Sequence, residues 1–165
     1  MTATTTFKYK RYRTPEGFDD LYMRSDGESL TGLWFARDEE ECTEEDVPVF
    51  GETSKWLDGY FAGRPPFDLP KMKLEGLTPF RLEVLQTVRT IPYGETMTYG
   101  EIAWMISERR GVRMSAQAVG RAVGWNPICI LIPGQRVVGA DGSLVGYSGG
   151  VENKRKLLEL ERDMR

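Results

Sequence analysis

A proline-rich connector, PPFDLPKMKLEG at residues 65–76, marks the point at which the residue pattern of this chain changes. Before it, segments rich in aromatic and branched residues are separated by turn sequences, a pattern typical of an antiparallel β-meander. We predict one helix over residues 49–63 and strands over 7–13, 19–25 and 29–36. After the connector the apolar spacing is mainly helical. The chain is therefore expected to form an α+β fold with two domains, residues 1–76 and 77–165.

Helix-start signals follow the connector at three places. Thr78 precedes Pro79, Thr98 and Glu101 form a T-x-x-E capping box, and Ser115 precedes a run of small residues. The last segment of the chain has amphipathic spacing. These signals predict a helix that begins at Pro79 and ends before residues 91–95, and further helices over 98–110, 116–124 and 151–163.

The 165-residue chain contains no histidine and two cysteines, Cys42 and Cys129. The missing histidine excludes Ser-His-Asp and Cys-His catalysis, a histidine general base and histidine metal ligands. The cysteines form no C-x-x-C pair, so we expect no zinc ribbon, no metal and no cofactor. No apolar run is long enough for a membrane span and no signal-peptide pattern is present, so the expected location is the cytoplasm, with nucleoid association if the source is bacterial.

The net charge of −3 hides an asymmetry between the two halves. Residues 1–76 carry 10 basic and 16 acidic side chains, whereas residues 77–165 carry 12 and 9. Seven of the acids lie within residues 38–46. Two interpretations remain open: two modules with different partners, or a solvated acidic loop beside an ordinary second half.

The predicted helices over 98–110 and 116–124, joined by a turn that contains Gly111, fit a helix-turn-helix. The second helix has many small residues, so another backbone can approach it closely. A helix start capped by Ser115 and flanked by arginines is a phosphate site, and arginines occur at positions 109, 110, 113 and 121. A DNA-binding helix and a tightly packed structural helix pair both fit these features.

The stretch NPICILIPGQRVVGADGSLVGYSGG at 126–150, with AVGRAVGW before it and KRKLLELE after it, resembles the O6-alkylguanine-DNA alkyltransferase family, the methylated-DNA–protein-cysteine methyltransferases. The resemblance runs from about Thr78 to Glu161. It implies a ribonuclease-H-like N-terminal domain and a winged helix-turn-helix-like C-terminal domain. It also implies binding in the DNA minor groove and flipping of the damaged nucleotide into a pocket, because a base inside the duplex is out of reach.

The family's signature Pro-Cys-His-Arg matches Pro133, Gly134, Gln135 and Arg136 in this sequence. In the family, the cysteine accepts the alkyl group, and a histidine, a water and a glutamate form its thiolate. The matching glutamate, Glu161, is present. Glycine has no side chain that could accept an alkyl group, and glutamine does not titrate near neutral pH. We therefore predict a protein without alkyltransferase activity at this position.

Cys129 lies five residues before Gly134, in the apolar segment CILIP that is predicted to be a short buried strand or extended segment. In an extended chain this offset is about 16 Å and points to the opposite face. Apolar surroundings would raise the pKa of the thiol, so a core role is favoured, while alkyl transfer to Cys129 remains an alternative. Neighbouring acids oppose thiolate formation at Cys42.

The resemblance implies roles for several residues in a lesion pocket. Tyr99 would help to rotate the nucleotide, Asn126 would act as a hinge, the Val137 carbonyl would contact the guanine amine, and Tyr147 and Ser148 would cover the base. Structural alternatives are core packing for Tyr99 and a helix-ending turn for Asn126. The predicted pocket comprises Tyr99, Asn126, Pro133, Gly134, Val137, Tyr147 and Ser148.

The resemblance also implies a DNA-binding set. Gln117 stands where the family often has an arginine that enters the base stack, and glutamine brings no charge. The predicted DNA-binding residues are Tyr99, Arg113, Ser115, Gln117, Ala118, Arg121 and Arg136.

The missing nucleophile makes the chain similar to the alkyltransferase-like proteins, which commonly have tryptophan at that position and pass the lesion to nucleotide excision repair. The leading hypothesis is a monomeric sensor whose partners are double-stranded DNA containing O6-alkylguanine and nucleotide excision repair proteins, with no membrane partner. The alternatives are an active methyltransferase that uses Cys129 and a lesion-independent DNA-binding protein.

Overall fold

The structure, a computed structural model, describes residues 6–36, 43–144 and 147–164. Cys42 and the first four acids of the acidic loop lie outside these ranges. The chain divides into two compact units, Met1–Glu75 and Gly76–Arg165. None of the helices in the described ranges has the length and apolar character that crossing a bilayer requires.

The first unit is an antiparallel sheet with one helix. Strands β1 (Lys8–Tyr12), β2 (Leu21–Ser25) and β3 (Leu30–Phe35) lie in sequence order, and helix α1 (Pro48–Phe61) packs on β2 and β3. The helix buries the face expected from its sequence, with Phe50, Trp56, Leu57, Tyr60 and Phe61 among the buried side chains. The sheet meander and the helix agree with the sequence pattern.

Two acids of the acidic loop are bound within the first unit. Glu45 forms an ion pair with Lys8 at 3.1 Å, and Asp46 forms one with Lys10. Both lysines belong to β1. These two acids therefore offset the positive charge of two lysines on strand β1, which lies at the edge of the sheet.

The second unit is mainly helical, with α2 (Pro79–Val88), α3 (Tyr99–Arg110), α4 (Ala116–Gly124) and α5 (Val151–Asp163). The predicted caps are present: the Thr78 and Ser115 side chains accept the backbone N–H groups of Arg81 and Ala118, and Thr98 and Glu101 form the capping box. Helix α3 ends at Gly111, whose φ of 67° lies in the left-handed region. Together the two units form the mixed α+β fold predicted above.

Two very short strands join distant parts of the second unit. Strand β4 (Met97–Thr98) pairs in parallel with β5 (Val137–Val138). Strand β5 follows directly after a 3₁₀ helix at Gly134–Arg136. This pairing brings the start of α3 beside the segment that matches the family signature. Two-residue strands leave no readable periodicity, which is why the sequence did not predict them.

The segment CILIP is not the strand or extended segment predicted above. Residues 129–132 form tight turns, with Leu131 N–H donating to Cys129 O at 2.7 Å and Ile132 N–H donating to Ile128 O at 3.2 Å. Ile130 has a φ of 69°, which a branched residue rarely adopts. The Asn126 side chain holds both ends of the loop, because it accepts from Ile128 N–H and donates to Ile132 O. The separation of about 16 Å that was expected between Cys129 and Gly134 holds only for an extended chain, so it does not apply to this turn.

Candidate functional site

Gly134 begins the 3₁₀ helix and is buried. A Cβ atom placed on it would lie 3.4 Å from Val123 Cγ1, 3.5 Å from Asn126 Nδ2 and 3.6 Å from Tyr147 Cε2. These are ordinary van der Waals distances, and the φ angle of Gly134 is not in the left-handed region. The fold therefore has room for a Cβ atom at the position that matches the family's cysteine.

Gln135 and Arg136 both point to Glu161, which lies on α5 and is buried. Gln135 Nε2 donates to Glu161 Oε2 at 3.0 Å, and Arg136 Nε donates to Oε1 at 2.7 Å. The backbone N–H of Gly94 also donates to Oε1, at 3.1 Å. The carboxylate thus holds three segments together: the turn before β4, the 3₁₀ helix and α5.

Arg136 was predicted to bind DNA, and its surroundings do not fit that role. The side chain is 8% exposed, and besides its ion pair with Glu161 it donates from Nη1 to the Ile91 carbonyl at 2.7 Å. A guanidinium that is buried and already paired is not available to a phosphate. We therefore assign Arg136 a structural role and remove it from the DNA-binding set.

Tyr99, the first residue of α3, meets Lys154 of α5 in the interior. The Lys154 ammonium donates to the Tyr99 hydroxyl at 3.2 Å and to the Val137 carbonyl. It lies 5.5 Å from the centre of the Tyr99 ring and 5.9 Å from that of Tyr147. Burial lowers the pKa of Lys154 to about 8 and raises the pKa of Tyr99 above its ordinary value.

Lys154 was not among the site residues predicted from the sequence. The helical spacing indicates that Lys154 is buried, because it shares one face of α5 with Leu157 at i+3 and Glu161 at i+7. A lysine on the buried stripe of an amphipathic helix indicates a buried cation with partners.

Cys129 lies against the segment that was predicted to cover the base. Its Sγ is 3.4 Å from the Ser148 hydroxyl oxygen. Burial raises the pKa of the Cys129 thiol above its ordinary value, and the Ser148 and Tyr147 hydroxyls offset part of this rise. The thiol therefore lies near the predicted pocket, mainly in its protonated form at neutral pH.

The predicted pocket residues are close together in the structure. Asn126 and Tyr147 surround the position of a side chain at Gly134, while Tyr99 and Val137 meet at Lys154. Pro133 is buried directly before Gly134. We call the following residues the Gly134 cluster: Tyr99, Asn126, Cys129, Pro133, Gly134, Val137, Tyr147, Ser148 and Lys154.

Helix α4 exposes the residues that were predicted to contact DNA. Ser115, Gln117 and Arg121 are exposed and Ala118 is half-buried, whereas Val119, Ala122 and Val123 face the interior. Gly120 lies against the Tyr99 ring, since a Cβ there would be 3.8 Å from it. Gly120 therefore lets α4 lie close to Tyr99 and the Gly134 cluster.

The arginines near α4 divide into two groups. Arg109 and Arg110 both form ion pairs with Glu83 of α2. Arg113 and Arg121 are exposed, and neither forms an ion pair with the residues that the structure describes. Only the second group keeps its charge available to an anion. Within the described ranges, no group of His, Cys, Asp and Glu side chains is arranged to hold a metal ion.

Comparisons with known proteins agree with this arrangement. The family model described as "6-O-methylguanine DNA methyltransferase, DNA binding domain" matches residues 79–163. A methylated-DNA–protein-cysteine methyltransferase of Haemophilus influenzae is 40% identical over 164 residues, covering 96% of this chain and 88% of the relative. One of Methanosarcina acetivorans is 39% identical over 159 residues, covering 93% and 97%.

Solved structures are similar over nearly the whole chain. The crystal structure of Mycobacterium tuberculosis O6-methylguanine methyltransferase matches with a TM-score of 0.81 and 38% identity, covering 97% of this chain and 95% of that one. The crystal structure of Mycobacterium tuberculosis OGT in complex with DNA matches with a TM-score of 0.79 and 38% identity, covering 95% and 94%. This chain therefore belongs to the 6-O-methylguanine DNA methyltransferase family.

Proposed function

We propose that this protein binds duplex DNA through α4 and holds a flipped O6-alkylguanine in the Gly134 cluster without accepting its alkyl group. The main supporting observation is the glycine at the acceptor position, surrounded by the other predicted pocket residues. The relatives are methylated-DNA–protein-cysteine methyltransferases, and one similar structure was solved with DNA. Both facts favour DNA as the partner.

The Gly134 cluster offers suitable groups to a guanine. The Val137 carbonyl has two lone pairs, so it can accept from the guanine amine while it still accepts from Lys154. Lys154 has only donors, so its bond to Tyr99 fixes the hydroxyl oxygen of Tyr99 as an acceptor. Tyr99 and Tyr147 are each 7% exposed and Val137 is fully buried, so a base reaches these groups only when the cluster opens. In the open cluster the two rings supply apolar surfaces for the base.

We infer from three residues that position 134 accepts no alkyl group. Gly134 has no nucleophile, and the Gln135 amide is bound to Glu161 and cannot take up a proton at neutral pH. Glu161 already accepts from Gln135, Arg136 and Gly94. We therefore assign this carboxylate to holding the site together. Lesion recognition followed by hand-over to nucleotide excision repair proteins is the role that fits such a site.

Binding to matched duplexes tests the proposal. The affinity of the full chain is measured for one duplex sequence with and without a single O6-methylguanine, at one stated salt concentration. We expect tighter binding to the modified duplex, and we expect Tyr99→Ala to remove the difference. Equal affinity for both duplexes would replace this proposal by lesion-independent DNA binding.

Alkyl transfer to Cys129 is a second candidate function, which the contact between Cys129 and Ser148 favours. In this reaction the sulfur bonds to the methyl carbon as the O6–carbon bond breaks, and the thiol proton passes to the guanine. The products are S-methylcysteine and unmodified guanine. Mass spectrometry after incubation with methylated DNA decides between the candidates: one added methylene group on Cys129, absent in Cys129→Ser, would establish transfer.

A further inference from the structure

Trp125 lies directly after α4, and its side chain is unusually exposed for a tryptophan. It is 59% exposed, and the guanidinium of Arg81 lies over its ring with the Cζ atom 4.5 Å from the ring centre. Arg81 comes from the first turn of α2, which packs against α4. The pair thus places a large aromatic ring at the end of α4 against a positive charge on α2.

Trp125 continues a stripe on the exposed face of α4. Gln117, Arg121 and Trp125 lie at i, i+4 and i+8, and all three are exposed. On a helix this spacing covers an arc of about 80° and a length of about 12 Å. Trp125 therefore lies at the far end of the surface whose first turns were predicted to contact DNA.

The charges on this surface match a phosphate backbone. Neither Arg81 nor Arg121 forms an ion pair with any residue in the described ranges, in contrast to Arg109 and Arg110, which are bound to Glu83. Gln117 contributes no charge to the same stripe. Arg113 lies before the first turn of α4, and Arg81 and Arg121 add available cations toward its C-terminal end, where Trp125 lies.

We propose that Arg81 and Trp125 form a second DNA anchor, which holds a sugar–phosphate backbone beside the groove that α4 enters. This proposal rests on the proposed DNA binding. The small residues of the first turns of α4 can lie deep in a minor groove, which is only about 6 Å wide. The Trp125 indole, about 12 Å farther along the helix, meets the edge of that groove. There the ring packs on deoxyribose, and the Arg81 guanidinium, held in place by the ring, binds a phosphate.

Two substitutions test the anchor, each with a matched control. Arg81→Gln is compared with Arg89→Gln, which removes the same charge at the other end of α2. Trp125→Ala is compared with Trp104→Ala, because Trp104 on α3 is 64% exposed. The affinity of each full-length variant is measured by fluorescence anisotropy for the unmodified and the O6-methylguanine duplex over a series of salt concentrations.

We expect Arg81→Gln and Trp125→Ala to weaken binding to both duplexes by the same factor, about tenfold, while the controls bind like the wild type. Arg81→Gln should also reduce the slope of log K against log salt by about 0.9, which corresponds to one phosphate contact. Because Trp125 is exposed, thermal melting of its variant should be unchanged. Wild-type affinity and slope in both variants would overturn the anchor.

The outcomes separate this proposal from lesion recognition. If the wild type prefers the modified duplex and both anchor variants bind with wild-type affinity, only the anchor is overturned. Weakened binding in the anchor variants, with no lesion preference in the wild type, supports the anchor and refutes lesion recognition. A wild-type protein that binds neither duplex overturns both proposals.

Discussion

Replacing Gly134 by cysteine places a thiol where the structure already has space for its first carbon. The Cβ atom would meet Val123, Asn126 and Tyr147 at 3.4 to 3.6 Å, and the backbone needs no left-handed conformation. A substitution of glycine at such a site stabilises a protein by about 0.4–1 kcal/mol, because it restricts the unfolded chain. We therefore expect Gly134→Cys and the control Gly134→Ala to fold at least as stably as the wild type.

The thiol alone should react slowly. An ordinary cysteine has a pKa of about 8.5, so about 3% of it is thiolate at pH 7, and burial lowers this fraction further. Adding Gln135→His would place an imidazole beside Glu161, whose Oε2 lies 3.0 Å from the Gln135 amide nitrogen. The carboxylate favours the imidazolium, which in turn favours the thiolate. Complete ionisation would raise the transfer rate about 30-fold over Gly134→Cys.

The assay is a single-turnover reaction with an O6-methylguanine duplex, followed by mass spectrometry of the peptide that contains position 134. Gly134→Ser provides a control without sulfur, and a Cys129→Ser background assigns any methyl group to one cysteine. A double variant that folds and binds the modified duplex but gains no methyl group at position 134 would refute the reasoning, because it would show that the cluster no longer presents the lesion to that position.

Three further predictions concern stability. The folded-state pKa of Lys154, about 8, lies below the ordinary lysine value of 10.5. Between these two pH values the unfolded chain binds more protons than the folded chain, so the free energy of unfolding rises as the pH rises from 8. Urea unfolding at pH 8 and pH 9.5 should therefore show a rise, by up to about 1.4 kcal/mol per pH unit, that is absent in Lys154→Met. Asn126→Ala leaves the Ile128 N–H and the Ile132 carbonyl without their side-chain partner, and should lower the free energy of unfolding by about 2–3 kcal/mol; a loss below 0.5 kcal/mol would contradict the bracing role. Arg136→Met leaves the buried Glu161 carboxylate without its cation and should cost about 3–5 kcal/mol in urea unfolding. The control Arg155→Met breaks exposed ion pairs on the same helix and should leave the free energy of unfolding nearly unchanged.

The helices of the second unit could be predicted because their start signals are local. Thr78, Ser115 and the pair Thr98 and Glu101 each cap a helix with atoms no more than three residues away. The fold class followed from the same local patterns together with the turn residues of the first unit. Such signals do not depend on the rest of the molecule.

The features that the sequence did not predict depend on contacts between distant segments. Strands β4 and β5 are two residues long and come from segments about 40 positions apart. The turns around Ile130 form because the Asn126 side chain bonds to both ends of the loop. The family resemblance placed Arg136 in the DNA-binding set, yet Glu161 from the last helix binds it in the interior. Neither the partner nor the burial can be read from the residue type.

Glu161 has a structural task that does not depend on alkyl transfer. Three donors from separate segments converge on it, so it stabilises the second unit whether or not a thiolate is ever formed. Selection for folding alone is sufficient to retain such a residue. In this chain, the presence of Glu161 is therefore no indication of activity by itself.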